Sequence, residues 1–486
     1  MSYRAAGLAA GHTAPAAVPS EGPLCVDLDG TLLRTDVLWE TLWAAIRRRP
    51  LLMLLVPFWL MRGRAFLKER AAEHGPICVE TLPYNEPLLR YVQEARAAGR
   101  AVYLATGCHG PVARRVAAHL GCFDGVIASQ DGVNVTGAQK LRILSEFFGS
   151  EFEYAGNARA DLAVWENCRA AVVVNAAPGV SAAVRKRGIA VALEIEDRPS
   201  VWRSLLRQLR VHQWVKNLLV FGALLLSHRL TSAGVLLDGA VAFAAFCLMA
   251  SAVYVGNDLM DIESDRAHPT KRARPFASGA LPLWAGAWLG PVTAIAGLAL
   301  AAWLSAAFLG AVVLYFAATF YYSWWGKQKP IVDVMLLSGM YSVRLYAGGI
   351  ACHIEISTWT LAYSSFLFLS LALLKRYSEL ITVTAPSARR GYEAGDVTIL
   401  GALGCASGLL AALPLALYAG SPEVLLLYHS PRLLWLLCAV HVYWVSRLWL
   451  LANRGMVRED PVLFAVRDSS TYLAALVSAG ILALAV

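Results

Sequence analysis

From about Trp214 to the C-terminus the chain repeats apolar stretches of roughly 18–22 residues, each long enough to cross the ~30 Å hydrocarbon layer of a bilayer as a helix. In lipid, a backbone must satisfy its own hydrogen bonds, so such stretches fold as spanning helices. Residues 1–200 lack this pattern and read as a soluble domain. The excess of apolar residues, 57% against 16% charged with a mean hydropathy of +0.52, therefore belongs to one part of the chain. The net charge of +9 sits largely in short loops between apolar stretches. That placement is what membrane topology demands, and it argues against a nucleic-acid partner.

Nine spans are expected, at roughly 213–231, 236–257, 285–306, 308–324, 333–351, 358–375, 397–419, 431–452 and 469–486. With a cytoplasmic N-terminus, the inside loops hold Arg266, Lys271, Arg272, Arg274, Lys327, Lys329, Lys375, Arg376, Arg389, Arg390, Arg454, Arg458 and Arg467, and the outside loops hold Arg229 and Arg432. The bias places the soluble half in the cytoplasm and the C-terminus outside. The Ala, Arg and Gly usage points to a GC-rich bacterial gene, and the expected location is the bacterial inner membrane. Nine scattered cysteines show no CxxC pair and read as small apolar residues. Residues 1–21, rich in small residues and proline, read as a disordered lead-in.

The soluble half opens with LCVDLDGTLLRTD from Leu24. A short apolar strand ends in Asp27 and Asp29, two apart and so on one side. Two carboxylates this close need a compensating cation. Further apolar strands follow, AVYLATG ending at Thr106 and Gly107, FDGVIAS, EFEYAG and RAAVVVN, with Lys140 and Asp161 in the polar segments between. Strands alternating with helices predict a parallel sheet with ligands at the strand carboxyl ends.

This order of motifs resembles the haloacid dehalogenase (HAD) phosphohydrolases over residues 22–195. The resemblance implies an α/β, Rossmann-type domain with a cap insertion at about 36–85. It implies that Asp27 is the nucleophile, Asp29 the acid/base, and Thr106 and Lys140 the phosphate ligands. Mg²⁺ is expected on Asp27, Asp29, Asn157 and Asp161. Where the family carries an acid directly after the glycine of its fourth motif, this chain has Asn157. The exchange removes a negative charge beside the metal, so the domain is either a hydrolase with weakened metal affinity or a docking module. Within the cap region, RRRPLLMLLVPFWLMRGRAFLKER has an apolar core too short to span, flanked by arginines; it is expected to lie on an anionic leaflet.

At the end of the second span stands NDLMDIESDRAHPTKRARP. On one helix, Asn257, Asp261 and Asp265 fall at i, i+4 and i+8, with Asp258 about 100° from Asn257. Like charges at i, i+4 destabilise a helix unless a cation intervenes. Mg²⁺ on carboxylates typically bridges to phosphate oxygens, and Lys271, Arg272 and Arg274 follow as phosphate partners. The motif NDxxDxxxD resembles that of the UbiA superfamily of intramembrane transferases, over residues 203–486. LRVHQWVKNLLVF, DRAHPTKRARPFASG, LLKRYSEL and REDPVLFAVRDSS are similar to the branch containing decaprenyl-phosphate phosphoribosyltransferases.

The resemblance implies an all-α polytopic bundle. It implies that Asp258, Asp261 and Asp265 act through Mg²⁺ on the diphosphate of phosphoribosyl pyrophosphate, with a polyprenyl phosphate as acceptor. The second acidic motif of ordinary prenyltransferases is reduced here to Asp333 beside Lys327 and Lys329. Lys327 or Lys329 is expected at the lipid phosphate, Lys216 at the leaving group, and Lys375 and Arg376 at another phosphate. Arg344 is expected to face the cavity. The HAD-like half is expected to remove the 5-phosphate of the product. The alternative is a prenyltransferase using prenyl diphosphate and an aromatic or lipid acceptor; a transporter or lipid-binding scaffold explains the acidic motif less well.

Overall fold

The structure, a computed structural model, describes residues 22–129, 135–226, 232–382, 391–422, 424, 428–457 and 460–485. The lead-in 1–21 and the topological residues Arg229, Arg389, Arg390 and Arg458 lie outside the described residues. The chain divides into two compact units, Met1–Gln208 with Asp258–Ala287, and Leu209–Asn257 with Trp288–Val486.

The first unit is built on a parallel sheet of six strands in the order β3-β2-β1-β4-β5-β6: β1 Leu24–Val26, β2 Val102–His109, β3 Gly125–Ser129, β4 Glu153–Gly156, β5 Ala170–Val174 and β6 Val191–Ile195. β1 and β5 are buried throughout, as strands covered on both faces must be. Alternate side chains feed two cores: Leu24, Val26 and Leu104 go to one face, Cys25, Ala105 and Tyr154 to the other. Order reverses at β1, whose two neighbours are β2 and β4, so a crevice opens at its carboxyl end.

Between β1 and β2 lies an insertion with helices α1 (Val37–Arg48), α2 (Val56–Met61), α3 (Arg64–His74) and α4 (Glu86–Ala97). Asp36 caps α1 by accepting from Leu38 N at 2.8 Å. The remaining crossovers are α5 (Gly110–Leu120), α6 (Ala138–Phe148), α7 (Leu162–Trp165) and α8 (Val180–Lys186), followed by α9 (Val201–Gln208).

The second unit is helical. Seven helices among the described residues are long and apolar enough to cross a membrane, or eight if one bent pair counts as a span. α11 (Ala233–Met260), α13 (Leu283–Leu304), α14 (Ala306–Trp324), α15 (Val332–Ala351) and α16 (Thr358–Thr382) come first. The sixth is Ala394–Ala419 and the seventh Pro431–Asn453. α15 is the most enclosed, its apolar window 56% buried.

Two expected spans take other forms. Of the first, at 213–231, the described residues form a 3₁₀ segment, Val211–Phe221, and the short α10 (Gly222–Leu226); 227–231 lie outside the described residues. Its polar residues bond inward: Asn217 to Arg344, and Lys216 to Asp460. Its backbone also packs tightly on α15, where a Cβ at Gly348 would stand 1.9 Å from the carbonyl oxygen of Val220. The last, at 469–486, is helix Ser469–Ala485, bent 75° from Pro461–Arg467. Asp468 holds the corner, accepting from Thr471 N at 3.1 Å and pairing with Arg447 at 2.7 Å.

Candidate active sites

The first site forms where β1 ends. Asp27 continues the strand, its N–H donating to Ala155 O at 2.9 Å. Gly30, at φ 72°, turns the chain in the left-handed region. A side chain at Gly30 would strike the Asn157 amide, with a Cβ only 2.2 Å from its nitrogen, so Asn157 leans directly on the Asp27–Gly30 turn. α6 delivers Lys140, 3% exposed, whose Nζ donates to Asp27 Oδ1 at 2.8 Å and to the Tyr154 hydroxyl at 2.6 Å. Tyr154 donates in turn to Asp161 Oδ1 at 3.0 Å. Asp161 Oδ2 accepts from the N–H groups of Asn157 and Ala158, so this carboxylate fixes the loop after β4. Thr106 is buried on β2, its hydroxyl oxygen accepting from Cys108 N at 3.1 Å.

Burial pushes the Asp27 carboxyl up to about 6, with Asp161 adding to the rise and Lys140 opposing it. Asp29 is pushed well above the usual carboxylate range by burial and by the charges of Asp36 and Asp27. Val37 N donates to Asp29 Oδ1 at 2.8 Å. Asp29, whose carboxyl is raised, is placed for an acid role, and Asp27, held by Lys140, for a nucleophile. Lys140 serves Asp27 at 2.8 Å and Asp161 at 3.9 Å; the carboxylate of Asp27 and the Asn157 amide beside the Asp27–Gly30 turn are oxygen donors that fit Mg²⁺. α3 contributes Lys68, whose Nζ donates to Gly107 O at 2.5 Å and which lines the same pocket as Asp29 and His109. Lys68 and Tyr154 carry no signal in the sequence.

The second site is the acidic motif. The helix does not run through it: α11 stops at Met260, Asp261 is a turn residue at φ −95°, ψ 8°, and α12 (Ile262–Ala267) resumes. The single-helix register expected for Asn257, Asp261 and Asp265 is therefore broken. Asn257 donates instead to Ser323 Oγ at 3.1 Å. The structure brings together Asp258 and Asp265 through Arg274, whose Nη1 lies 3.0 Å from Asp258 Oδ1 and 2.6 Å from Asp265 Oδ2. Both acids are nearly inaccessible, at 3% and 2%. Burial raises the Asp265 carboxyl and Arg274 partly offsets the rise.

Gln208 Nε2 donates to Asp258 Oδ2 at 2.9 Å, which leaves its buried carbonyl oxygen without a partner among the described residues. Two carboxylates and an orphaned amide oxygen are donors of the kind a hard cation takes, and the Arg274 guanidinium supplies positive charge between the two acids. Asp261 is half-buried, and Lys271 and Arg272 are exposed on the 3₁₀ turn Lys271–Ala273. Among the described residues no group of three His, Cys, Asp or Glu side chains has metal-ligand geometry.

The second unit holds a third cluster. Lys216 and Lys375 both reach Asp460 Oδ2, at 2.7 and 3.1 Å. Burial alone would raise the Asp460 carboxyl, but the two lysines hold it well below the usual range. Asp460 also caps helix Pro461–Arg467 through Val462 N at 3.2 Å. Two cations on one carboxylate leave a surplus positive charge, which suits an anion. The two lysines were named from the sequence; Asp460, inside REDPVLF, was not.

Arg376 is fully engaged, bonding Asp333, Glu379 at 2.6 Å and the Tyr322 hydroxyl at 2.6 Å. Asp333, wholly buried, also accepts from Tyr392 at 2.5 Å. Arg344 donates to Asn217 at 2.8 Å, Met340 O at 2.8 Å and Tyr315 at 2.7 Å. Both arginines hold helices together inside the bundle, the usual place for a charge at membrane depth. Lys327 is half-buried and Lys329 exposed at the turn Gly326–Gln328; no ion pair among the described residues joins them to Asp460.

A family model described as the UbiA prenyltransferase family matches residues 218–467, and one described as a haloacid dehalogenase-like hydrolase matches residues 24–165. The protein y4nM of Sinorhizobium fredii is 34% identical over 458 residues, 93% of this chain and 88% of that protein. Nodulation protein NoeC of Azorhizobium caulinodans is 34% identical over 271 residues, 54% of this chain and 86% of that protein. Decaprenyl-phosphate phosphoribosyltransferase of Mycolicibacterium smegmatis is 39% identical over 184 residues, 36% of this chain and 57% of that enzyme.

Proposed function

We propose, for a chain that belongs to the UbiA prenyltransferase family and carries a haloacid dehalogenase-like hydrolase domain ahead of it, a two-step membrane enzyme. The membrane half transfers 5-phosphoribose from phosphoribosyl pyrophosphate to a polyprenyl phosphate. The hydrolase half then removes the 5-phosphate. The N-terminal domain lies in the cytoplasm, and the membrane is the bacterial inner membrane.

The observation that carries this reading is the Asp258–Arg274–Asp265 cluster with Lys271 and Arg272 beside it in sequence, acids and cations in the mixture that a magnesium diphosphate requires. Likeness to decaprenyl-phosphate phosphoribosyltransferase supports ribose as the transferred group. Mg²⁺ on Asp258, Asp261 and Asp265 would neutralise the donor diphosphate. Arg274, Lys271 and Arg272 bind the donor's phosphate oxygens. As the C1–O bond to diphosphate breaks, positive charge develops on the ribose ring. A lipid phosphate oxygen then bonds to C1, and diphosphate departs with the electron pair. The acceptor is already anionic, so no general base is needed. Lys216 and Lys375, held by Asp460, bind a substrate phosphate in the membrane half.

In the hydrolase half, Mg²⁺ on Asp27 and Asn157 would offset phosphate charge, with Asp161 fixing the loop that bears Asn157 and Asp29 kept as the acid. Asp27 attacks the phosphorus, Asp29 gives its proton to the departing ribose oxygen, and Lys140 and Thr106 hold the phosphoryl oxygens. Water attacks the aspartyl phosphate, returns a proton to Asp29 and releases inorganic phosphate.

The test is diphosphate release by the purified full chain with Mg²⁺ and polyprenyl phosphate. Release with phosphoribosyl pyrophosphate, lost in Asp265→Asn, is expected. Release only with a prenyl diphosphate and an aromatic acceptor would overturn the reading in favour of prenyl transfer.

A further inference from the structure

The insertion between β1 and β2 carries an apolar surface that nothing in the first unit covers. The 3₁₀ turn Pro50–Leu55 and α2 expose Leu51 at 78%, Met53 at 59%, Leu54 at 64%, Phe58 at 64% and Met61 at 84%. Only Trp59, 8% exposed, turns inward, its ring 5.6 Å from that of His74. Soluble surfaces rarely gather large apolar side chains this densely unless something binds them.

The flanks say what binds. Arg48 and Arg49 precede the patch, Arg62 and Arg64 follow it, and all four are exposed. No Asp or Glu occurs between Glu40 and Glu69. An apolar face edged with arginines and free of acids is complementary to an anionic lipid surface: chains accept the side chains, and headgroups pair with the guanidinium ions. The segment Pro50–Met61 is too short to span a bilayer. Its place is therefore in the interface plane.

The patch is joined to the helix that reaches the hydrolase site by two residues, Arg62 and Gly63. Gly63, at φ 107°, links α2 to α3, and α3 holds Lys68 in the pocket of Asp29. We propose that Pro50–Met61 is a lipid-surface anchor that seats the hydrolase site against an anionic leaflet, committing it to phosphate monoesters borne on lipids. The anchoring stands on geometry alone; the substrate class rests on the hydrolase reading above.

The full chain is reconstituted in nanodiscs of phosphatidylcholine with or without phosphatidylglycerol. A fluorescent amino acid replaces Met61 or Leu54, or Arg142, exposed on α6, as a control. Quenching by chain-brominated lipid is expected at positions 61 and 54, stronger with phosphatidylglycerol, and absent at 142. Quenching at 61 and 54 no greater than at 142 overturns the anchor, including the case in which a second copy covers the patch. Quenching equal in neutral and anionic lipid overturns the headgroup pairing.

For the substrate class, Met53→Glu with Leu54→Glu is expected to slow hydrolysis of a lipid-borne phosphate monoester while p-nitrophenyl phosphate turnover is unchanged. Equal slowing of both overturns the commitment to lipid. If the wild type hydrolyses neither ester, the hydrolase reading fails while the quenching result still decides the anchor.

Discussion

Arg266 grips Glu40 with both ends of its guanidinium, Nη2 2.6 Å from Oε1 and Nη1 3.0 Å from Oε2, at side-chain exposures of 4% and 3%. Its Nε donates to Ala277 O at 3.0 Å. Glu40 belongs to α1 of the insertion, and Arg266 follows Asp265 directly, so the pair ties the acidic motif to the α/β body. Removing one member of a buried ion pair leaves an uncompensated charge and costs about 3–5 kcal/mol. Glu40→Ala is expected to lower the thermal midpoint of the detergent-solubilised chain and to reduce transfer. Glu40→Ala that left both unchanged would count against this coupling.

Asp460→Asn removes the carboxylate that orients Lys216 and Lys375. Charge-assisted hydrogen bonds contribute about 1.5–3 kcal/mol each, so transfer is expected to fall about 10- to 100-fold. Lys375→Gln should raise the KM for one phosphate substrate more than it lowers kcat. Initial rates at varied lipid phosphate and varied donor show which.

Arg274 already neutralises part of the charge on Asp258 and Asp265. Arg274→Gln is expected to tighten divalent-cation binding at the motif, about tenfold for a 1.4 kcal/mol change, while weakening donor binding. Mn²⁺ binding followed by electron paramagnetic resonance reads the first effect, and the donor KM reads the second.

The proposed hydrolysis requires ionised Asp27. With that carboxyl raised to about 6, the rate at limiting Mg²⁺ should fall as pH drops through this value. Saturating Mg²⁺ favours the ionised form and should move the acid limb downward. Linkage has the opposite consequence for stability. Between the ordinary carboxylate range near ~3.9 and about 6, the folded chain binds the extra proton, so this group's contribution to stability is lost as pH rises through that window. Asp27→Asn should abolish phosphate release, leaving a product one phosphate heavier by mass spectrometry.

Much of the hydrolase half was legible because it is written in short range: apolar strands ending in acids, a Gly turn, alternating helices. The parallel sheet follows from that alternation, whereas its strand order does not, and the roles of Asp27 and Lys140, 113 residues apart, come from the family resemblance. Tyr154 was not legible, since a tyrosine in an apolar strand reads as core until the fold sets its hydroxyl between Lys140 and Asp161. In the membrane half, hydropathy found the long helices. It did not distinguish a span from the 3₁₀ run Val211–Phe221, whose shape depends on Arg344, Asp460 and Gly348 far along the chain. Periodicity likewise extended α11 through Asp261, because the turn there is set by tertiary partners of Asp258 and Asp265.

The molecule divides between Gln208 and Leu209, close to the boundary drawn on the sequence near residue 200, but not there alone. Asp258–Ala287, from the interior of the membrane half's own sequence, folds with Met1–Gln208. Along with Glu40–Arg266, the surface salt bridge Arg47–Glu263 and the close approach of Gly279 to Arg34 belong to this one body. The two halves are thus not interchangeable cassettes. A gene split at the linker would strand Glu40 without its counter-charge in one product and Arg266 in the other. A chimera built from a related transferase would have to carry its own α1-facing surface along with its catalytic loop.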